Sequence, residues 1–374
     1  MKNILITGGA GFIGTNLTFR LVDLGYSITI FDNLSKQVHN QESFLIKKIK
    51  KVSNFIKGDV RIKTDWNKAI KGQDAIIHLA AETGTGQSMY DIARYNEVNI
   101  MGTANLLDTL TNEKHNINKI IIASSRSIYG EGKYYCKNQG IIYPGMREDK
   151  NMSNGRFDIY DSSNTNILEM RPTDERSRIN PNSIYAITKQ QQEQLTLLIG
   201  KVLKIPTIAL RFQNVYGPNQ SLSNPYTGIL SIFSTSILNG NNIEVYEDGK
   251  QTRDFIYIDD AVDAIVLSLQ KEEANYKVLN VGSGISTSVL YIANILKRLY
   301  NSNIEIKVNG KYRLGDIRNN YADLTRIKKL LGFSPNVNLD KGISMFVSWV
   351  KSQKIHYDTY QNSIEELENK GLIR

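Results

Sequence analysis

The chain has 374 residues, 41% of them hydrophobic and 22% charged, which is typical of a globular protein with one large domain and a smaller lobe. No apolar run reaches the ~20 residues that a membrane-spanning helix needs, so we expect no membrane partner. The opening stretch MKNILITGGAGFIG lacks the apolar core and cleavage site of a signal peptide, which predicts a cytosolic protein.

The single cysteine, Cys136, excludes intrachain disulfides and cysteine-cluster zinc sites. The four histidines show no metal-ligand spacing, so we predict structural roles for them and no bound metal: His39, His78, His115 and His356. The net charge of +9 is compatible with nucleic-acid binding or with a doubly phosphorylated small substrate, and charge alone does not decide between them. Because the lysines are scattered, with one cluster at Lys47–Lys51 that we place on a solvated helix face, we expect no nucleic-acid partner.

The first half of the chain alternates strand-like and helix-like segments. The predicted strands are short and mostly apolar: Asn3–Thr7, Ser27–Asp32, Asn54–Lys57, Ala75–Leu79, Lys119–Ser124 and Thr207–Phe212. The predicted helices are Gly11–Leu24, Asp91–Thr111 and Asn182–Lys201. This alternation predicts an α/β fold of the Rossmann type, a doubly wound parallel sheet.

After Phe212 the pattern is less regular. We predict a helix ending at Asn239–Gly240, a strand pair Ile243–Tyr246 and Phe255–Ile258, a helix from Asp259, and a strand Val278–Val281 that rejoins the sheet. Further helices are predicted at Val289–Tyr300, Leu324–Leu331 and Lys341–Lys354. We therefore divide the chain into a Rossmann domain, residues 1–212 with an insertion at 131–171 and a return around 255–282, and a smaller C-terminal α/β substrate lobe, residues 213–374.

The first strand runs into a glycine-rich turn that is typical of dinucleotide binding. Gly8 permits the sharp turn, Gly11 lets backbone amides approach a pyrophosphate, and Gly14 allows close helix–sheet packing, with Phe12 and Ile13 between them. The following helix presents its positive end to the phosphates.

The next two strands supply the rest of the predicted cofactor site. Asp32 ends the second strand, where a carboxylate accepts from the adenosine ribose and repels a 2′-phosphate, which favours NAD over NADP. Asn33 follows it, and we assign Asp59 and Val60, after the third strand, to the adenine. The segment Leu79-Ala80-Ala81, after the fourth strand, is predicted to pass beneath a ribose.

Tyr185 and Lys189 lie four residues apart in a helical pattern, hence on one helix face. A free phenol has a pKa of about 10, and lowering that pKa to about 7 requires about 4 kcal/mol. We expect a charged Lys189 and an oxidised nicotinamide to favour the phenolate. Tyr129/Lys133 and Tyr246/Lys250 show the same spacing, but they have glycine in the gap and lie outside helical patterns.

Ser124 and Ser125 close the fifth strand at the sheet edge where doubly wound folds bind ligands. A hydroxyl there can bridge a substrate and Tyr185, although small polar residues at a strand end are also common without any such role.

With these motifs, the sequence resembles the NAD-dependent epimerase/dehydratase family of extended short-chain dehydrogenases over nearly its whole length. Further matching stretches are His78–Ala81, Val98–Thr103, Ser124–Gly130, Leu210–Pro218, Arg253–Asp260 and Arg313–Asp316. The resemblance implies that Ser125, rather than Ser124, joins Tyr185 and Lys189 as the catalytic residues, that Lys189 also holds the nicotinamide ribose, and that Asn99 shapes the cofactor site.

The resemblance also implies a nucleoside-diphosphate sugar as substrate. Asn214 and Arg253 match diphosphate-binding positions, Arg313 a further phosphate contact, and Asp316 a contact to the nucleoside ribose; charge-assisted arginine bonds suit phosphates. As alternatives, either arginine is a surface residue and Asp316 is a cap.

The residues after Ser125 narrow the reaction. Sugar 4,6-dehydratases have Asp-Glu directly after the catalytic residue, because loss of water needs an acid, and related decarboxylases have Glu at the second position. Here these positions hold Arg126 and Ser127. This difference favours an epimerase that oxidises one carbon, most simply C4, to a transient ketone. An NDP-sugar reductase, a 2-epimerase and a non-catalytic NAD-binding protein remain open.

Two stretches are most similar to a group within the family, the dTDP-L-rhamnose 4-epimerases: Glu82–Tyr90, in which we assign Ser88 to the substrate, and Gln213–Ile229. Arg126 and the insertion 131–171 depart from the common epimerase pattern. Apolar residues on more than one face of helices Asp91–Thr111 and Asn182–Lys201 predict a homodimer, because relatives pair through the matching helices.

Overall fold

The computed structural model describes residues 1–39, 44–163, 165–226, 228–354, 358 and 360–374, with the side chain of Phe44 excluded. The predicted structural role of His356 lies outside the described residues. The strands are β1 (Asn3–Thr7), β2 (Ser27–Asp32), β3 (Asn54–Lys57), β4 (Ala75–His78), β5 (Lys119–Ser125), β6 (Tyr134–Cys136), β7 (Gly140–Ile142), β8 (Glu169–Met170), β9 (Thr207–Phe212), β10 (Asn214–Tyr216), β11 (Ile243–Val245), β12 (Thr252–Arg253), β13 (Phe255–Tyr257), β14 (Val278–Val281), β15 (Thr287–Ser288) and β16 (Ile306–Val308).

A seven-stranded parallel sheet in the order β14-β9-β5-β4-β1-β2-β3 forms the centre of the molecule. The six strands predicted for the first half all belong to it, and Val278–Val281 rejoins it at one edge, as predicted. The strand order reverses between β1 and β4, so the carboxyl ends of these strands open the crevice in which such folds bind ligands. The prediction of a doubly wound α/β fold is confirmed.

The α-helices are α1 (Phe12–Asp23), α2 (Phe44–Val52), α3 (Lys63–Ala69), α4 (Thr85–Ser88), α5 (Ile92–Tyr95), α6 (Gly102–Asn112), α7 (Asp149–Ser153), α8 (Ile184–Val202), α9 (Ile229–Leu238), α10 (Ile258–Gln270), α11 (Val289–Tyr300), α12 (Thr325–Leu331), α13 (Leu339–Lys351) and α14 (Tyr360–Asn369). Helices α1 and α10 pack together on one face of the sheet, and α3, α6 and α8 on the other. The single helix predicted at Asp91–Thr111 is instead α5 and α6 joined by a π-helical stretch at Asn96–Met101. Its apolar spacing could not reveal this, because a π-bulge leaves both flanking turns helical.

Alternate residues of each central strand enter different cores, since side chains along a strand point to opposite faces. In β1, Ile4 and Ile6 join the core beneath α1 and α10, while Leu5 joins the core that contains Trp66 and Leu106. All three β1 residues are fully buried, and each contributes roughly 1.5–3 kcal/mol to stability. The strands therefore read as continuous apolar runs because helices cover both faces.

The C-terminal lobe contains small strand pairs and helices that share one continuous core with the α1 face of the sheet. The predicted pairing of Ile243–Tyr246 with Phe255–Ile258 is wrong. Strand β11 pairs in parallel with β16, and β13 pairs in parallel with β10. A sequence pattern gives the presence of a strand but not its partner, which is fixed by packing between distant segments.

The insertion 131–171 forms a three-stranded antiparallel sheet in the order β7-β6-β8, together with α7. It has a small core of its own, made by Tyr134, Cys136, Ile159 and Leu168. Ion pairs attach it to the C-terminal lobe: Arg147 and Glu247 form a buried pair, and buried Arg318 pairs with Asp158, whose side chain is partly exposed. The predicted boundary at residue 212 stays a prediction.

The lysine cluster lies on α2, where the lysines face solvent while Ile46 and Ile49 are buried, as the sequence predicted. No helix among the described residues is both long and apolar enough to cross a membrane. Within the same residues, no three metal-ligating side chains gather into a possible ion site.

Candidate active site

A cavity of about 1380 Å³ opens at the carboxyl edge of the central sheet, above the crevice between β1 and β4. Its walls come from the glycine turn after β1, the ends of β2, β4 and β5, helix α8, and the segment that follows β9. A single space therefore joins the predicted cofactor residues to the predicted reacting groups.

The glycine turn encloses one end of the cavity, and its backbone leaves no room for side chains. Gly8 has φ +64°, and a Cβ there would lie 2.9 Å from the Cα of Ala80. A Cβ on Gly14 would lie 2.6 Å from the carbonyl oxygen of Gly8. Helix α1 begins after Gly11 without a side-chain cap, so its first amides are available to an anion. This cradle fits a dinucleotide pyrophosphate, and Gly11, Phe12 and Ile13 also line it.

Asp32 lines the cavity at the end of β2 and is buried. The backbone amides of Ala10 and Leu34 donate to its two carboxylate oxygens at 3.0 and 2.8 Å. It therefore both fixes the turn and presents a carboxylate to the cavity. Burial raises the pKa of Asp32, and the Nε2 of His39, 3.8 Å from its Oδ1, opposes that rise. This carboxylate fits a ribose diol.

The other predicted cofactor residues divide into two groups. Asn33, Val60, Leu79, Ala80, Ala81, Tyr185 and Lys189 line the cavity. Asp59 and Asn99 do not. Asp59 accepts from Arg61 and Asn33, and Asn99 is fully buried with its amide bonded to the backbone of Glu82 and to Thr188. Asn99 thus holds the segment after β4 against α8, whereas a direct cofactor contact by either residue stays a prediction.

Ser125 and Tyr185 meet on the cavity wall. Ser125 ends β5, and the interaction of its hydroxyl with the phenol of Tyr185 opposes the rise that burial causes in the pKa of Tyr185. The hydroxyl of Ser125 accepts a hydrogen bond from that of Ser127 at 2.9 Å, so its own proton is available to donate. The hydroxyl of Ser124 instead donates to Glu193 at 2.6 Å. The geometry therefore leaves Ser125 as the serine that is free to relay a proton.

Lys189 lies one helical turn beyond Tyr185, but it does not make the phenol acidic in the protein alone. Burial raises the pKa of Tyr185, opposed by Ser125 and by the charge of Arg126. Burial also lowers the pKa of Lys189 to about 7, so its charge is partly lost near neutral pH. The expectation that Lys189 lowers the phenol pKa is corrected on this point, because desolvation acts on both groups at once.

The ammonium group of Lys189 belongs to a buried chain of hydrogen bonds. It donates to Gln192 at 2.7 Å, Gln192 donates to Thr103 at 2.8 Å, and Thr103 contacts the Nε2 of His78 at 3.1 Å. Nδ1 of His78 contacts Thr7 at 2.7 Å, and burial lowers the pKa of His78 to about 3, so the ring is neutral. The predicted structural role of His78 fits this chain, which fixes Lys189 from behind.

The predicted diphosphate contacts lie toward the C-terminal lobe. Asn214 lines the cavity, whereas Arg253, Arg313 and Asp316 lie beyond its wall. Arg253 pairs with Asp316 at 2.8 Å and donates to the carbonyl oxygens of residues 252, 317 and 318. Arg253 and Asp316 therefore form a unit, and their predicted contacts to substrate stay predictions.

Arg313 packs over the ring of Tyr246 at 5.0 Å and donates to Tyr360 at 3.2 Å. Its Nε is buried and has no hydrogen-bond partner within the described parts of the chain. This N–H group of Arg313 is therefore available to a ligand, which fits the predicted phosphate contact.

Ser88 is fully buried, away from the cavity wall. Its hydroxyl donates to the carbonyl oxygen of Thr85 and accepts from the backbone amide of Tyr185 at 3.0 Å. It therefore anchors the first turn of the helix that carries Tyr185, and its predicted contact with substrate is not tested by this geometry.

Several cavity residues were missed in the sequence analysis. His39, Lys48 and Ser35 reach the Asp32 end, and Trp349 and Gln353 contribute from α13 and the segment after it. No local motif marks these positions, because each reaches the cavity only through the packing of its segment. The remaining signal was the position of Ser35 and His39 in the segment that follows β2, where dinucleotide folds bind the adenosine.

A glycine-cradled pyrophosphate site, a ribose carboxylate and a Ser–Tyr–Lys group on one cavity wall define a dinucleotide-dependent enzyme of the short-chain dehydrogenase type. Residues 4–144 and 158–282 match the NAD dependent epimerase/dehydratase family. The chain belongs to this family.

The relatives are similar over nearly their whole length. The dTDP-L-rhamnose 4-epimerase of Burkholderia thailandensis is 37% identical over 354 residues, covering 94% of this chain and 96% of that one. The UDP-N-acetyl-alpha-D-glucosaminuronate decarboxylase of Bacillus cytotoxicus is 30% identical over 94% of this chain and 98% of that one. The crystal structure of UDP-glucuronic acid 4-epimerase from Bacillus cereus with UDP-glucuronic acid and NAD matches with a TM-score of 0.74 and 26% identity, covering 93% of this chain and 99% of that one.

Proposed function

We propose that this protein is an NAD-dependent epimerase of nucleoside-diphosphate sugars that inverts C4 of a hexose or 6-deoxyhexose through a transient ketone. The observation that carries the proposal is that Ser125, Tyr185 and Lys189 line the same cavity as the glycine cradle, with Ser125 acting on the phenol of Tyr185. Relatives named as 4-epimerases of nucleotide sugars support the reaction class.

In this proposal the Tyr185 phenolate removes the proton of the C4 hydroxyl, and Ser125 bridges the two oxygens. NAD⁺ held by the glycine cradle and Asp32 would supply an acceptor and donor for the C4 hydride and a positive ring that favours the phenolate. Arg253, Arg313 and Asn214 hold the diphosphate while the ketone turns over. Tyr185 then returns the proton to the alkoxide, so the reaction has no net redox change.

The residues that follow Ser125 favour epimerisation over elimination. Loss of water at a neighbouring carbon needs a positioned acid. The two positions after Ser125 hold Arg126 and Ser127, neither of which is an acid. The hydroxyl of Ser127 donates a hydrogen bond to that of Ser125 at 2.9 Å. These residues therefore favour reduction of the ketone from the opposite face over loss of water.

A product assay tests the proposal. The purified protein is incubated with dTDP-, UDP-, GDP- and CDP-sugars that carry deuterium at C4, and the products are analysed by NMR. We expect one sugar to give its C4 epimer with the deuterium retained, because hydride leaves and returns within one site. Release of water or carbon dioxide, or no conversion of any sugar, would contradict the proposal.

Tyr185→Phe is the matched variant for that assay. We expect it to lower turnover roughly 10²–10⁴-fold, because the hydroxyl that moves the proton is removed. NAD binding should stay intact, because the aromatic ring is retained. Wild-type turnover in Tyr185→Phe would show that another base removes the proton of the C4 hydroxyl.

We also propose a cytosolic homodimer that forms through the helices around α5, α6 and α8. Ile92, Met101, Leu198 and Val202 on these elements are large apolar side chains between 48% and 65% exposed. A paired copy would remove them from water. Sedimentation equilibrium tests the assembly, and a monomer at micromolar concentration would contradict it.

A further inference from the structure

Arg126 occupies a position between the reacting groups and the predicted diphosphate contacts. It follows Ser125 directly and begins the short 3-10 helix Arg126–Tyr129. Its Nε donates to the side-chain oxygen of Asn214 at 3.0 Å. Both neighbours, Ser125 and Asn214, line the cavity.

The terminal nitrogens of this guanidinium have no hydrogen-bond partner among the residues that the structure describes. Nε–Asn214 is the hydrogen bond that Arg126 makes to the described residues, and no carboxylate among them lies within ion-pair distance. The buried arginines are paired: Arg147 with Glu247, Arg211 with Glu193, and Arg253 with Asp316. Arg126 is partly buried, and its terminal nitrogens are not enclosed by the described residues. An anion supplied from outside the chain can therefore reach this guanidinium and would stabilise its charge.

The charges around Arg126 indicate where that anion would lie. Burial, and then the like charge of Arg253, lower the pKa of Arg126 to about 10, while Asp316, Tyr185 and Glu131 act in the opposite direction. Asp316 already pairs with Arg253, and Glu131 with Arg147. The two terminal nitrogens of Arg253 donate to that pair and to backbone carbonyls, and among the described residues only its Nε has no partner. Arg126 is thus the guanidinium with open donors beside the Tyr185 phenol.

We propose that Arg126 binds an oxyanion of the substrate at the cavity wall beside Ser125 and Asn214 and so sets the distance from the diphosphate to the reacting carbon. This inference rests on the proposed function. Guanidinium groups bind such oxyanions through two parallel donors. The oxyanion is either the sugar-side phosphate or a carboxylate on the sugar itself.

Binding measurements with the NAD-loaded protein separate these two sources. Isothermal titration calorimetry is performed with three kinds of ligand: dTDP and UDP, a nucleoside-diphosphate hexose whose sugar is uncharged, and UDP-glucuronic acid. We expect Arg126→Gln to weaken binding roughly 10- to 100-fold, as loss of charge-assisted bonds does. Loss for all ligands identifies the phosphate, and loss for the uronic acid alone identifies the carboxylate.

Two further variants control this experiment. Arg126→Lys keeps the positive charge but loses the two parallel N–H donors of the guanidinium. We therefore expect an intermediate loss of ligand affinity, and a folded protein even if Arg126→Gln is unstable. Arg20→Gln removes an exposed arginine that pairs with Asp263 on α10, and it should change no affinity. Arg126→Gln and Arg126→Lys with wild-type affinity for every ligand would overturn the proposal.

The pH profile gives a readout that a purely structural role would not move. Because the charge of Arg126 favours ionisation of Tyr185, Arg126→Gln should shift the rise of kcat to higher pH, and Arg126→Lys should restore it. The outcome also separates the two proposals. A wild-type protein without epimerase activity whose affinity for dTDP depends on Arg126 would refute the proposed function alone, whereas an active Arg126→Gln with an unchanged profile and unchanged affinities would refute this inference alone.

Discussion

The two ends of the cavity are built in different ways. The cofactor end is made mainly of backbone, from turns that directly follow β1, β2 and β4, within the first 81 residues. The substrate end depends on polar and charged side chains from segments far apart in the chain: Asn214 lines the cavity, and Arg126, Arg253 and Asp316 lie behind its wall. Local chain geometry thus determines the first end, and tertiary packing the second.

Because of this difference, substitutions at the two ends should affect different measured properties. A change in the cofactor end distorts a backbone cradle and should reduce NAD binding first. A change in the ionic network behind the substrate end should reduce stability and substrate affinity, while the cradle keeps its shape.

The largest effect is expected from Arg147→Gln. Arg147 is buried in the insertion and pairs with Glu131 at 3.3 Å and Glu247 at 2.7 Å, and it donates to the carbonyl oxygen of Asp316 at 3.0 Å. Its loss removes the ion pair of the buried Glu131 carboxylate and leaves Glu247 with Arg318 alone, which costs about 3–5 kcal/mol in unfolding free energy. Urea denaturation and substrate titration measure the loss of stability and affinity, with NAD binding retained.

Arg171→Gln is the control for that change. Arg171 also lies in the insertion, but its pair with Glu169 is exposed, so we expect a change below about 1 kcal/mol. Equal destabilisation by both variants would show that the buried network has no special role.

A smaller effect on stability is expected from Gly14→Ala. The new Cβ would lie 2.6 Å from the Gly8 oxygen and 2.6 Å from the Gly9 Cα. The turn must shift, at a cost of about 1–3 kcal/mol, and NAD affinity should fall about tenfold or more. Nucleotide fluorescence measures that affinity.

Gly145→Ala serves as the matched glycine variant, because a Cβ there meets no atom within 4 Å. It should leave NAD affinity and the melting temperature unchanged. If Gly14→Ala binds NAD with the same affinity as Gly145→Ala, the backbone of the cradle can move to accept a Cβ more easily than its packing indicates.

The smallest effect concerns pH. The pKa of Lys189 is lowered to about 7 by burial, so from pH 7 to about 10 the unfolded chain binds more protons than the folded one. Stability contributed by this site therefore rises with pH over that window. Urea midpoints at pH 7, 8 and 9 should increase in the NAD-free wild type relative to Lys189→Met, and a constant difference would contradict the lowered pKa.

Much of the cofactor end and of the reacting group could be predicted from the sequence. Gly8, Gly14 and Asp32 lie where the pattern placed them, because a turn after a strand is set by its own few residues. Tyr185 and Lys189 share a helix face because helical spacing alone puts them there.

Only the tertiary structure decided the rest. The pairing of β11 with β16, the contact of Arg126 with Asn214 and the position of His39 over Asp32 each join segments whose separation no local pattern encodes. The direction of the Tyr185 pKa was likewise undecided by spacing, because burial depends on everything packed around the phenol. The sequence by itself determined the strands, the cradle and the reacting residues through short-range geometry, whereas partners and electrostatics required the folded chain, since both depend on groups brought together from distant positions.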